Sequence, residues 1–149
     1  MPTKREEALA RFDEGFNCAQ AVFSAYAPTL GIDCVTALRV SSGFGGGMGR
    51  LQSVCGVVSG AFMLIGSQHG KIVKNDNEAK ERTYKLIQSF AARFEALHGS
   101  ILCRDLLGCD LNTPEGMSAF KLNNLHTEKC RRYVHDACGI IEEMLFPQG

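Results

Sequence analysis

GFGGGMGRLQSVCGVVSGAFMLIGSQHG, residues 43–70, divides into a glycine-rich run and an apolar segment. Each glycine loses much backbone entropy on ordering and offers no side chain to pack, so the run predicts a loop. After Arg50 the chain carries no Asp, Glu, Lys or Arg until Lys71, and Val54, Val57, Val58, Ala61, Phe62, Leu64 and Ile65 leave no polar helical face. That pattern predicts a helix buried on most sides. Its apolar centre is too short for the roughly 30 Å hydrocarbon layer of a bilayer, so a core helix is expected and no membrane insertion. Ser53 is the expected N-cap, which puts Cys55 in the first turn, where free N–H groups and the helix dipole favour a thiolate. Gly56 and Gly60 lie one turn apart and let another backbone, or a group held by Cys55, come close; this marks both as candidate cofactor-binding positions. The plainer alternative makes Cys55 a small buried hydrophobe and the glycines aids to packing.

The flanking segments also read as helices. Lys4 to Glu14 is amphipathic, with Ala8, Leu9 and Phe12 inward and Arg5, Glu6, Arg11 and Glu14 outward. Asn17 is the expected cap of a helix over Cys18 to Tyr26, and Asp33 of a shorter one through Cys34, Leu38 and Val40. Past a polar turn, Asn77 to His98 carries Ile87, Phe90, Ala91, Phe94 and Leu97 on one face, and Gly99 is its C-terminal cap. Ser100 caps a short helix containing Cys103, and Cys109 to Asn124 reads as loop with a short helical piece. Thr127 caps a last helix to about Phe146, stopped by Pro147. No stretch alternates with period two between hairpin signals, so residues 1–149 are expected to form one all-α domain, a bundle of about six to seven helices around the buried central one.

The 149 residues balance 16 acidic against 16 basic side chains, which argues against nucleic acid or an anionic membrane surface as partner. The N-terminus has no apolar signal-peptide core, so a cytoplasmic location is expected. Little charge in the central third is compatible with a homodimer.

Seven cysteines is a high and odd number, which argues against a fully paired secreted disulfide framework. Cys18, Cys55, Cys103 and Cys130 each follow closely on a residue able to cap a helix: Asn17, Ser53, Ser100 and Thr127. Four helix starts thus present a thiol that ionises easily. Cys34 after Asp33 has a similar placement, Cys138 falls among apolar neighbours as core packing, and Cys109 sits in a loop. No C-x-x-C is present, so neither a thioredoxin-type pair nor a usual zinc knuckle is expected. His69, His98, His126 and His135 read as surface residues. The glycine-rich run lacks a preceding strand and a following G-K-[ST], which excludes a phosphate-binding loop, and no Ser, His and Asp set stands in a context for acyl transfer.

These residues resemble the C_GCAxxG_C_C family, marked by four shared cysteines and a CGAxxG signature and labelled redox-active from its cysteines. The signature appears as Cys55-Gly56-Val57-Val58-Ser59-Gly60, with Val57 in place of alanine. The first family cysteine looks like Cys18 in FNCAQAV, the third like Cys103 in CRDLLGCDLNTPEG and the last like Cys130 in KCRRYV. The resemblance covers nearly the whole chain. It implies Cys18, Cys55, Cys103 and Cys130 as the functional set, leaves Cys34, Cys109 and Cys138 outside it, and implies a functional link to a transporter.

Three functions follow. The first is thiol/disulfide chemistry or electron transfer with an unknown redox partner protein, a thiol-dependent oxidoreductase in which Cys55 attacks or is oxidised and another cysteine resolves the disulfide. The second is a binding module whose four thiolates hold an iron–sulfur cluster or a metal ion such as zinc. The third is a non-catalytic helical interaction domain with buried cysteines.

Overall fold

Side-chain caps set most of the helix starts. The computed structural model describes residues 1–147. Its helices are α1 (Lys4–Glu14), α2 (Cys18–Tyr26), α3 (Cys34–Ser41), α4 (Gly56–His69), α5 (Asn77–His98), α6 (Cys103–Leu107), α7 (Pro114–Leu122) and α8 (Arg131–Leu145). Thr3, Asn17, Asp33, Asp76 and Thr113 each accept a backbone N–H at the start of α1, α2, α3, α5 and α7. At α2 the satisfaction is reciprocal, because Gln20 Oε1 also accepts the Asn17 N–H at 3.1 Å. Among the described residues there is no strand, only an isolated antiparallel bridge between Val54 and Leu102.

α2 and α4 lie against each other at the centre, with α1, α5 and α8 around them and α3 on the outer side of α2. Val22 and Tyr26 of α2 meet Val57, Val58, Leu64 and Ile65 of α4, Phe90 and Phe94 of α5, and Val134 and Ile141 of α8 in one core. The buried central helix expected from the sequence is therefore present, but α2 shares its position. On α2, Ala19 and every residue from Ala21 to Tyr26 are buried.

The close approach of α2 to α4 has a simple steric cause. A Cβ on Gly56 would lie 2.5 Å from Cys18 Sγ and 3.0 Å from Ala19 N, and one on Gly60 would lie 3.1 Å from Ala19 O. Only a hydrogen at these two positions lets the α2 backbone sit directly on α4.

Several expectations need correction. Cys55, not Ser53, is the N-cap of α4, because Val54 and Cys55 are drawn into the bridge with residues 101–103 and stay extended. Leu102, not Ser100, caps α6; Ser100 Oγ instead accepts the Leu102 N–H at 2.9 Å. Thr127 caps nothing. Asn124 takes a left-handed φ of +52°, and Thr127 falls inside the π-helical turn over His126–Cys130, donating its N–H to Asn124 O. Pro114–Leu122 is a nine-residue helix and not merely a short piece. Leu97, counted on the apolar face of α5, is 61% exposed, so that face ends at Phe94.

Gly56→Ala should lower stability by about 1–3 kcal/mol through overpacking against Cys18 and Ala19. Urea unfolding measures this, and an unchanged midpoint would contradict the close contact.

Candidate functional site

The glycine-rich run folds into a left-handed turn. Gly46, Gly47, Met48, Gly49 and Arg50 have φ between +59° and +67°, and Gln52 follows at +55°. For Met48, Arg50 and Gln52 this backbone costs on the order of 1–2 kcal/mol each. The turn is tied by Gln52 N–H to Gly46 O at 3.2 Å and Ser53 N–H to Gly47 O at 2.9 Å. It is also packed from outside: a Cβ on Gly47 would lie 2.7 Å from Cys103 Cβ, and Asn17 Nδ2 donates to Ser42 O at 2.9 Å. Strain of this kind persists only where the surroundings over-determine the backbone, and it gathers here beside the thiols.

The second positioning device is the bridge. Cys55 N–H donates to Ile101 O at 2.8 Å and Cys103 N–H to Ser53 O at 2.7 Å, which sets the two cysteines beside each other across the Val54–Leu102 pair. Gln52 secures the arrangement from behind. It is 4% exposed, its Nε2 donates to Cys109 O at 2.8 Å, its Oε1 accepts the Leu111 N–H at 2.8 Å, and Nε2 stands 4.0 Å from Cys103 Sγ.

Cys18, Cys55, Cys103 and Cys130 all line one cavity of about 220 Å³. Its remaining walls are mostly aromatic and aliphatic, including Phe12, Phe16, Leu106, Leu107, Phe120 and Tyr133. Cys55 and Cys103 are buried, while Cys18 and Cys130 are partly exposed. Gly56 borders this space, but Gly60 packs on Ala19 and Val22 and does not line it.

The four thiols are not equivalent. The Cys55 S–H faces the Cys18 sulfur and lowers its pKa to about 7 from an ordinary 9.0, against the opposing effect of burial; the N–H groups of Gly46, Ala19 and Cys18 itself add to the lowering. Cys55 is pushed well up, first as the proton donor to Cys18 and then by burial. Burial raises Cys103 to about 11 and Cys130 to about 12, and the negative charge on Cys18 adds to both. Helix-start placement led the sequence reading to Cys55 as the activated thiol. In the fold the two thiols share one interaction: Cys55 keeps the Val57 N–H on its sulfur, and Cys18 keeps α2 and glycine-turn donors together with the Cys55 thiol.

Cys138 is fully buried in the core, as expected, and Cys34 lies away from the cavity. Cys109 borders a separate surface hollow beside Gln52. His126 was read as a surface residue; it is exposed, yet it stacks on Phe12 with ring centroids 4.2 Å apart and lines the cavity. His98 differs from the same expectation, being packed between Phe94 and Tyr133 with Nε2 2.9 Å from Asp136 Oδ2. Neither Gln52 nor His126 carries a sequence signal of its role: Gln52 acts through contacts 57 and 59 residues away in the chain.

Among the described residues, no three His, Cys, Asp or Glu side chains converge to hold a metal ion. The four thiols stand around the walls of a space and not about a point, which does not fit the tetrahedral set a zinc ion needs.

An all-α domain with four of its seven cysteines gathered on one apolar cavity defines a class of helical thiol protein. The chain belongs to the C_GCAxxG_C_C family: the family model, described as "Putative redox-active protein (C_GCAxxG_C_C)", matches residues 16–144. Comparison with curated proteins and with solved structures gave no match. No helix of the described residues is long and apolar enough to cross a membrane.

If the Cys55 thiol sets the acidity of Cys18, Cys55→Ala should move the Cys18 pKa from about 7 upward toward 9.0. The alkylation rate of Cys18 as a function of pH would then reach half-maximum at higher pH in the variant; coincident profiles would refute the pairing.

Proposed function

We propose that the protein is a dithiol oxidoreductase in which Cys18 is the nucleophile and Cys55 the resolving thiol. The observation that carries this reading is the Cys18 sulfur lying directly against Gly56, the neighbour of Cys55, with both cysteines on the wall of one cavity; there the Cys55 thiol and the Gly46 and Ala19 N–H groups draw the Cys18 pKa down. A thiolate is the reactive form of cysteine, and one with a pKa near the ambient pH combines a large ionised fraction with good nucleophilicity.

In the reductive direction Cys18 thiolate attacks a two-electron acceptor and is oxidised. The Cys55 thiol loses its proton and attacks the Cys18 sulfur, forming the Cys18–Cys55 disulfide and releasing the reduced product. Two electrons leave the pair of cysteines, and a dithiol reductant, small or protein-borne, returns them. Cys103 and Cys130, on the same cavity and held protonated by burial, form a second dithiol available for exchange with the first pair.

Under mild oxidant the wild-type protein is expected to lose two free thiols to a Cys18–Cys55 bond, identified by peptide mass mapping, and Cys18→Ser and Cys55→Ser to lose that bond. Formation of the same number of disulfides in Cys18→Ser would overturn the assignment. The anaerobically prepared protein is expected to be colourless; a broad band between about 300 and 500 nm with stoichiometric iron would replace this reading by a cluster-bound electron carrier.

A further inference from the structure

The cavity that holds the four cysteines is unusual in its lining for a site of thiol exchange. None of its lining residues is an Asp, Glu, Lys or Arg, and apart from the cysteines and Tyr133 its one titratable group is His126. An ionised carboxylate entering such a space loses several kcal/mol of hydration with no cation to offset it. At about 220 Å³ the cavity also lies below the roughly 300–1,000 Å³ of ordinary small-molecule sites. A charged tripeptide disulfide is disfavoured on both grounds, and a peptide disulfide on the second. Aromatic walls from Phe12, Phe16, Phe120 and Tyr133 offer favourable burial to a compact apolar group instead.

Two acceptor chemistries remain for such a molecule. A disulfide and a hydroperoxide are both attacked in line and both expel a leaving group, but the attacked sulfur of a disulfide carries a carbon substituent that must also find room beside Cys18. The attacked terminal oxygen of a hydroperoxide carries only hydrogen, so room is needed for the leaving side alone. We infer that the substrate of this site is a compact, uncharged organic hydroperoxide, its hydrocarbon part lying against the aromatic wall and its terminal oxygen at Cys18. This rests on the dithiol reading above.

The step balances with the groups at hand. Cys18 thiolate attacks the terminal oxygen, the O–O bond breaks, and Cys18 becomes a sulfenic acid while alkoxide departs. The alkoxide takes the proton of the adjacent Cys55 thiol and leaves as the alcohol. Cys55 thiolate then attacks the sulfenic sulfur, forming the disulfide and expelling hydroxide, which a solvent proton converts to water. Two electrons pass from the two cysteines to the O–O bond, and the dithiol reductant already named restores them.

The test uses the full chain, reduced and kept from oxygen, with Cys18–Cys55 disulfide formation followed by quenched alkylation and mass mapping. Cumene hydroperoxide is expected to react at least about tenfold faster than hydrogen peroxide or oxidised glutathione, which is one decade of rate constant. Oxidised glutathione reacting as fast as cumene hydroperoxide would overturn the substrate class while leaving the dithiol reading in place. Failure of every oxidant to form the bond would overturn both. Leu111→Asp places a carboxylate at the cavity wall, and the ratio of the cumene hydroperoxide rate to the hydrogen peroxide rate should fall toward one. The comparison of oxidants on the wild-type chain stands even if that variant fails to fold.

Discussion

The contact on which the rest of the site depends is the one between α2 and the first turn of α4. With hydrogen as the side chain at positions 56 and 60, Ala19 of α2 reaches the α4 backbone, and the Cys18 sulfur comes to rest over Gly56. Any side chain there would push the helices apart and remove Cys18 from Cys55. The signature glycines thus act on thiol chemistry through distance, by deciding which sulfur lies next to which.

Around that contact, the acidity of each thiol follows from who donates to it. A sulfur at a helix start is not enough, because the donors nearby may be committed elsewhere. Cys55 begins the longer of the two helices, yet its own N–H is bonded to Ile101 O and its S–H points to Cys18. Cys55 keeps one donor from its own helix, the Val57 N–H, whereas Cys18 gains more: donors from its own helix, one from Gly46 of the left-handed turn, and the neighbouring thiol. The strained turn therefore has a use, since the backbone that puts Gly46 N–H on the sulfur is one that Met48, Arg50 and Gln52 adopt only at a cost.

Burial then separates the remaining cysteines. Cys103 and Cys130 share the cavity but lack enough donors to offset their loss of hydration, so both stay protonated. Cys138, fully buried, is held at about 12 inside the core and faces Tyr26, away from the cavity. Burial alone does not distinguish these cysteines; access to the shared space does.

The sequence by itself determined the helices and their order, because the information is local: Thr3, Asn17, Asp33 and Asp76 with the periodic apolar residues behind them set α1, α2, α3 and α5 within the chain segments that form them. It also determined which four cysteines to watch, through their placement near helix starts and the CGAxxG spacing. What only the tertiary structure decided was the bonding around those cysteines. The bridge that makes Cys55 a cap pairs residues 53–55 with 101–103, and Gln52 reaches loop residues 57 and 59 positions away. The end of α5's apolar face at Phe94, the fall of Thr127 inside a helical path and the packing of His98 on Tyr133 are likewise set by what lies opposite. A pKa depends on every group facing a sulfur, and two that draw Cys18 down, the Cys55 thiol and the Gly46 N–H, come from distant parts of the chain; only the fold brings them there.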